Sequence, residues 1–105
     1  MKATLAFTTS RAEPRLDWVL RALEWQCREG DDLELVVVDA LGRDPEEIGL
    51  VPCSAVTCVV ATRPKPSPWQ GPQRVTDRDW WAVANARNTA IVLASRDYLA
   101  FLDDR

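Results

Sequence analysis

A chain of 105 residues has room for one domain with a modest hydrophobic core. Its formal charge of −3, with arginines scattered along the sequence, excludes a duplex-binding surface, which needs clustered basic side chains, so we expect no nucleic-acid partner. No apolar run reaches the length of a membrane span and no signal peptide opens the chain. We therefore expect a cytoplasmic protein without a transmembrane segment.

The cysteines and the absence of histidine limit the chemistry further. Without histidine, no mechanism can use an imidazole base from this chain. Three cysteines cannot all pair, and without histidine they do not form a zinc set of ordinary spacing. We interpret Cys27, Cys53 and Cys58 as reduced and partly buried thiols.

The first half of the chain alternates strand and helix patterns. Residues 3–9 are apolar and β-branched, which predicts a strand. Pro14 suits the first turn of a helix, whose apolar face is formed by Leu16, Val19, Leu20, Leu23 and Cys27. On the outside of this helix we expect the i,i+4 ion pairs Asp17–Arg21 and Glu24–Arg28.

An apolar run at 33–38, ending at Asp39, is typical of a strand covered on both faces. Residues 40–54 read as a loop with one helical turn at 45–48, and 55–61 as a third strand. A proline-rich stretch then carries Trp69, which we interpret as a contact for a ligand or partner.

The last part of the chain predicts a helix and a fourth strand. The helix runs from a capping box at Thr76 to about Ser95. Its packed side is expected to contain Trp80, Ala84, Ala90, Ile91 and Ala94. The strand covers residues 98–102 and delivers two adjacent acids, Asp103 and Asp104.

This order predicts an α/β, Rossmann-like, mostly parallel sheet of about four strands with flanking helices, formed as one domain over 1–105. Ligands in such sheets bind at the carboxyl ends of the strands. Polar residues follow all four expected strands: Ser10 and Arg11, Asp39, Thr62 and Arg63, and Asp103 and Asp104.

Two of these strand ends, and Arg87 in the last helix, have specific chemical interpretations. Asp103 and Asp104 would bind Mg²⁺ or Mn²⁺ bridging to a diphosphate, because like charges need a cation to coexist; the alternative is a solvated acidic strand end. Asp39 would contact a uracil ring or a ribose, or else would bond its own loop. Arg87 would neutralise phosphate charge or bind Asp103; the alternative is an arginine on the helix surface without such a role.

Residues 84–104 combine an Ala-Arg-Asn helix, an apolar strand and an acidic pair, and residues 33–39 form an apolar strand ending in Asp. Together they resemble the nucleotide-binding half of inverting glycosyltransferases of family 2, which have the GT-A fold. The likeness covers nearly the whole chain. Arg105 stands where the family often has a third acid, Ala90 replaces a usual Gly, and Thr8 and Thr9 stand where a Pro and an aromatic residue are often seen.

The resemblance implies a metal-dependent enzyme that binds a nucleotide-activated sugar, UDP-linked, with Mg²⁺ or Mn²⁺ as cofactor. Asp103 and Asp104 would hold the metal and the nucleotide sugar, Asp39 the base, and Arg87 the diphosphate region. The nucleotide pocket would begin at Thr9, Ser10 and Arg11.

The acceptor-binding half and the catalytic base of such enzymes follow the metal motif, so we expect both downstream of this chain and no catalytic residue within it. We then expect an incomplete, inactive transferase whose fourth strand forms an open edge and promotes self-association. The alternatives are a non-catalytic α/β nucleotide-binding or interaction module, and an unrelated Rossmann-like binder, which no Gly-rich phosphate loop supports.

Overall fold

Four parallel strands form the sheet of this protein in the computed structural model, which describes residues 1–51, 53–61 and 83–102. The strands are β1 (Lys2–Thr9), β2 (Asp32–Asp39), β3 (Val56–Ala61) and β4 (Tyr98–Leu102). They are joined by helix α1 (Leu16–Gln26), a 3₁₀ turn (Pro45–Ile48) and helix α2 (Val83–Leu93). The predicted α/β, Rossmann-like arrangement is confirmed.

The strand order in the sheet is β3-β2-β1-β4. The chain runs outward from β1 through β2 to β3, then crosses back to place β4 on the other side of β1. In register, Thr9 of β1 lies beside Asp39 of β2, and Phe7 of β1 beside Leu102 of β4. The strand order therefore reverses between β1 and β4, which is where parallel sheets of this kind form a crevice at their carboxyl ends.

Alternating side chains of β1 and β2 build a separate core on each face of the sheet. On one face Phe7, Leu35 and Val37 pack with Leu16 and Leu20 of α1 and with Ile48 of the 3₁₀ turn. On the other face Ala6, Val36 and Val38 pack with Ala86 and Ala90 of α2. Helices α1 and α2 thus cover opposite faces, which explains why β2 has apolar residues at successive positions.

The expected packed side of α2 was wrong in part. Ala84 is exposed and Ile91 is 48% exposed, whereas Ala86 and Ala90, four residues apart, are fully buried. Alanine has the smallest side chain of the apolar residues that favour a helix, so this face lets α2 lie close to the valines of β2. Trp80 and the capping box lie outside the described residues.

The three cysteines are free thiols, as expected. Cys27 and Cys53 are half-buried, but Cys58 on the edge strand β3 is exposed, so the expectation of partial burial was wrong for that residue. Although much of the Cys58 side chain is exposed, neighbouring groups partly desolvate the thiol and raise its pKa. Desolvation together with a hydrogen bond to Glu24 raises the pKa of the Cys53 thiol. Both therefore stay protonated at neutral pH and lack the thiolate character of reactive cysteines.

Candidate site at the carboxyl edge of the sheet

The described part of the candidate site is formed by the ends of β1 and β2. Thr9 is fully buried, and its backbone carbonyl accepts a hydrogen bond from the Ala40 amide at 3.0 Å. Its hydroxyl accepts from the Arg11 amide at 3.1 Å, a local bond that turns the chain after the strand. Ser10 and Arg11, both exposed, therefore leave the sheet at the edge where the nucleotide pocket is predicted to begin.

Asp39 is fully buried at the end of β2, and its carboxylate is held by Arg43. Arg43 Nε lies 3.1 Å from Asp39 Oδ2, and Arg43 Nη2 lies 3.0 Å from Oδ1. The Leu41 amide donates to Oδ1 at 3.1 Å and the Arg43 amide to Oδ2 at 3.0 Å. Four donors thus occupy about four lone-pair sites, so this carboxylate is fully hydrogen-bonded by its own loop.

The same arginine reaches across to the loop between β1 and α1. Arg43 Nη1 donates to the Ala12 carbonyl at 2.6 Å, and Nη2 donates to the Arg11 carbonyl at 2.7 Å. Arg43 therefore ties the loops after β1 and β2 into one unit. A planar guanidinium can do this because its donors point in several fixed directions at once.

The ionisation of Asp39 depends on these contacts. Burial alone would raise the pKa of this carboxyl, but the hydrogen bonds from Arg43 and from the backbone amides outweigh burial and lower it. Asp39 is therefore a stable carboxylate at neutral pH and a poor general base, because a base is most effective when its pKa lies near the working pH.

The contacts of Asp39 correspond to the alternative left open by its sequence, a turn-forming acid bonded to its own loop. A contact to a uracil ring or ribose stays a prediction. Sequence reasoning missed Arg43, although one signal was available: an acid ending a buried strand is followed four residues later, across Gly42, by an arginine.

Arg87 is exposed on α2, and its guanidinium carbon lies 5.8 Å from the centroid of the Phe101 ring in β4. The distance is within the range of a cation–π contact. Arg87 therefore lies beside the strand that leads to the acidic pair. Its predicted role at a diphosphate stays a prediction.

The predicted metal ligands Asp103 and Asp104 lie outside the described residues, as do Trp69, Thr62 and Arg63. Within 1–51, 53–61 and 83–102, no group of three or more acidic or cysteine side chains is arranged to hold a metal ion. The predicted Mg²⁺ or Mn²⁺ site thus depends on the acidic pair and stays a prediction.

A second buried polar cluster lies toward the amino end of the sheet. Glu34 of β2 accepts hydrogen bonds from the Thr4 hydroxyl at 2.7 Å, and from the Ser95 amide and hydroxyl at 2.9 and 2.6 Å. Arg96 Nη1 lies 3.6 Å from Glu34 Oε2. These bonds join β1, β2 and the α2–β4 connection. Sequence reasoning missed the cluster, although Glu34 interrupts an apolar run.

A cavity of about 480 Å³ lies beside the edge strand β3, lined among others by Leu50, Cys53, Val56 and Cys58. Its lining comes from the segment before β3 and from β3 itself, not from the ends of β1 and β2. With the two thiols protonated, the described lining offers no activated nucleophile. We therefore place the candidate site at the carboxyl edge.

No described helix combines the length and the apolar character needed to cross a membrane. Comparison with protein-family models, with curated proteins and with solved structures gives no match for this chain. The functional interpretation accordingly rests on the residues at the carboxyl edge and on the order of the strands.

Proposed function

We propose that this chain binds a nucleotide-activated sugar, UDP-linked, with Mg²⁺ or Mn²⁺, as the donor-binding part of a family 2-like inverting glycosyltransferase. The second candidate is a non-catalytic α/β module that binds a nucleotide or a partner without turnover. The first candidate assigns the base of the nucleotide to Asp39, and the second candidate requires no contact there. The full hydrogen bonding of Asp39 by its own loop therefore favours the second candidate, because a ligand contact at Asp39 would require one existing donor to give way.

The observation that carries the proposal is the reversal of strand order between β1 and β4. Loops after two such strands diverge and leave a crevice between them. Thr9 ends β1 and Ser10 and Arg11 follow it, and in the sequence Asp103 directly follows Leu102, the last residue of β4. This topology supports a ligand that lies between the loop after β1 and the acidic pair.

The donor chemistry also suits the proposal. Carboxylate oxygens are the ligands that Mg²⁺ prefers, so Asp103 and Asp104 would hold the ion, which would neutralise charge on a diphosphate. Arg87 of α2 would add a second positive charge beside β4. By tying the loops after β1 and β2 together, Arg43 would fix the wall of the pocket before a ligand arrives, which reduces the entropy lost on binding.

The test is calorimetric titration of UDP in the presence of Mn²⁺. We expect binding by the natural sequence and at least about a tenfold loss in the Asp103→Asn, Asp104→Asn variant, since the metal bridge would be gone. The matched control is Glu29→Gln, Asp97→Asn, which also removes two acids. Glu29 and Asp97 are exposed and precede β2 and β4, so they lie at the amino edge of the sheet, opposite the candidate site.

Equal heats for the natural sequence and the Asp103, Asp104 variant would contradict the proposed metal site. Binding of UDP that persists in that variant without Mn²⁺ would favour the non-catalytic module. Arg87→Gln separates the contribution of the arginine from that of the metal ion. This variant should weaken UDP binding while leaving the binding of Mn²⁺ alone unchanged.

A further inference from the structure

The edge strand β3 presents one side of its backbone without a partner strand. In the order β3-β2-β1-β4, β3 pairs with β2 and, within the described residues, with no other strand. Half of the N–H and C=O groups of a strand point to each of its two sides. The outer side of β3 is therefore a row of donors and acceptors spaced to match an extended chain.

The cavity described above lies along this same edge. The register places Cys58 beside Leu35, which belongs to the core on the α1 face of the sheet. The cavity is lined on this face by Val56, Cys58 and Val60, together with Leu50 from the segment before β3. Its volume of about 480 Å³ is typical of binding clefts, which span roughly 300–1,000 Å³. Because side chains alternate along a strand, every second residue of a chain beside β3 would point toward it.

The connection from β2 to β3 explains why the cavity is open. Parallel strands are usually joined by a helix that covers the sheet, but here the connection contains only the 3₁₀ turn Pro45–Ile48. Helix α1 packs on the neighbouring strands through Leu16 and Leu20. Cys58 on β3 consequently stays exposed, and Val51 at the cavity wall is 58% exposed. The α1 face of β3 thus lacks the cover that its neighbours have.

The wall of the cavity is acidic. Glu46 of the 3₁₀ turn lines it, and Asp44 and Glu47 stand beside Glu46 in the chain. All three are exposed, and within the described residues none of them forms an ion pair. Residues 44–61, which supply the whole described lining, contain no lysine or arginine. A basic side chain would therefore be favoured at this wall.

The nearby side of α1 does not reverse this charge. The structure lacks, in its described part, the two ion pairs expected along α1, Asp17–Arg21 and Glu24–Arg28, so that prediction was wrong. Asp17 instead binds Arg15, with Nη2 3.0 Å from Oδ2, and Glu24 accepts a hydrogen bond from Cys53 Sγ at 3.0 Å. Arg21 lies between Asp17 and Glu24 along the same side of α1 and offsets one acid. It does not line the cavity.

These features together match an extended peptide. A small apolar molecule could fill the cavity but would leave the outer backbone groups of β3 unmatched. A globular partner or a second copy needs roughly 800 Å² on each side of a stable interface, far more than a strand of six residues offers. A peptide that adds as a strand uses the backbone groups for affinity and the cavity for specificity.

We propose that β3 binds an extended, basic and apolar peptide segment of a partner protein, which joins the sheet as a fifth strand. An aliphatic or aromatic side chain of the peptide would fill the cavity between Leu50 and Cys58, and a basic side chain would pair with Glu46. Binding through one short strand would be weak and reversible. The proposal does not depend on the transferase assignment, because this cavity lies apart from the ends of β1 and β2.

The experiment measures binding of fluorescent heptapeptides Lys-Thr-X-Thr-Z-Thr-Lys, with X and Z taken from Val, Leu, Ile and Phe, by anisotropy up to about 1 mM protein. In an extended chain the X and Z side chains share one face, as do both lysines. We expect binding by at least one member of this set. Methylating the backbone nitrogen of the third or of the fourth residue provides the matched control, because only one of these N–H groups faces β3. One methylated peptide should lose about tenfold in affinity and the other should bind as before.

Variants of the protein test the cavity and its charge. Cys58→Phe should weaken binding by about tenfold or more because the ring occupies the cavity, whereas Cys58→Ala leaves it open and should bind normally. Glu46→Gln should weaken binding by about threefold. Asp97→Asn is its control, since Asp97 is exposed before β4, at the other side of the sheet. Circular dichroism establishes that each variant keeps its fold.

Several results would overturn the proposal. The first is a lack of binding by the whole peptide set. Equal effects of the two methylations would indicate that the cavity takes an apolar group without strand pairing. Equal binding by Cys58→Phe and Cys58→Ala would show that the cavity is not used. A dimer that Cys58→Phe dissociates and the peptides do not would indicate a second copy as the occupant of this edge.

Discussion

Arg43 and Asp39 form a bidentate ion pair in which the carboxylate is fully buried and the arginine side chain is 15% exposed. The same guanidinium holds the carbonyls of Arg11 and Ala12, so one side chain joins the loops after β1 and β2. The pair thus links the end of one central strand to the connection leading out of its neighbour. Stability and the shape of the candidate site should therefore change together when it is disturbed.

Replacing Arg43 by alanine should lower the free energy of unfolding by about 3 kcal/mol, because it leaves a buried carboxylate without its cation. Urea unfolding followed by circular dichroism measures this. Arg43→Lys should recover part of the loss only, since an ammonium keeps the charge but cannot bind both carboxylate oxygens and two carbonyls together.

The exposed ion pair between Arg15 and Asp17 supplies the control for Arg43. Asp17→Asn removes a carboxylate from a bond of similar length, 3.0 Å, in solvent, and should change the free energy of unfolding much less. If Arg43→Ala and Asp17→Asn were equally mild, the buried pair would not contribute as its geometry indicates.

Acid should destabilise the protein through Glu34 and Asp39. Burial opposes ionisation of both, yet hydrogen bonds from Ser95 and Thr4 lower the pKa of Glu34, and those from Arg43 lower the pKa of Asp39. A carboxyl whose folded-state pKa lies below its unfolded value stabilises the fold above the unfolded value, near pH 4, and loses that contribution as pH falls through the folded value. The free energy of unfolding should therefore decrease steadily below about pH 5.

The contribution of Glu34 can be separated by substitution. Glu34→Gln should be less stable at pH 7 but should show a flatter decline in acid, because one titrating group has gone. Thr4→Val removes the 2.7 Å bond to Glu34, which raises the folded-state pKa of Glu34 toward its unfolded value. The acid decline should then be smaller and should end at a higher pH. An identical pH profile for the natural sequence and Glu34→Gln would contradict this assignment.

The strands and helix α1 were predictable from the sequence because their apolar residues follow patterns typical of a buried strand or of one helix face. Nearly unbroken apolar runs such as 33–38 indicated strands covered on both faces, and the face of α1 containing Leu16 and Leu20 was evident from helical spacing. The packed side of α2 was not, because its alanines give no contrast between faces. Only the observed packing on Val36 and Val38 distinguishes Ala86 from Ala84.

The candidate site was predictable only in outline. A strand ending in Asp39 indicates a polar position at the sheet edge, but the sequence does not say whether its oxygens face a ligand or a loop. That depends on Arg43, whose reach to the Ala12 carbonyl joins positions 31 residues apart. Glu34 was missed for the same reason, since its partner Ser95 is 61 residues away.

Two glycines offer a matched test of local packing. Gly49 ends the 3₁₀ turn with a φ of 85°, and a Cβ there would lie 3.1 Å from the Asp17 amide nitrogen. Gly30 has a φ of 88°, but a Cβ there would meet nothing within 4 Å. Gly30→Ala should cost about 1 kcal/mol for its backbone conformation alone. Gly49→Ala should cost roughly 1 kcal/mol more, because the first turn of α1 must also shift; urea unfolding of both variants measures the difference.

The edge strand β4 is expected to promote self-association of the chain. In the described sheet β4 pairs only with β1, and three of its five side chains, Tyr98, Leu99 and Phe101, are large hydrophobic groups that are exposed. An open edge with apolar side chains can pair with another strand, and lysine at such an edge opposes pairing. Tyr98→Lys should therefore reduce the apparent mass measured by light scattering at high concentration. Val92→Lys makes the same change in charge on the outside of α2, away from the edge, and should leave the mass unchanged. A natural sequence that stays monomeric at high concentration, or equal effects of the two lysines, would contradict pairing through β4.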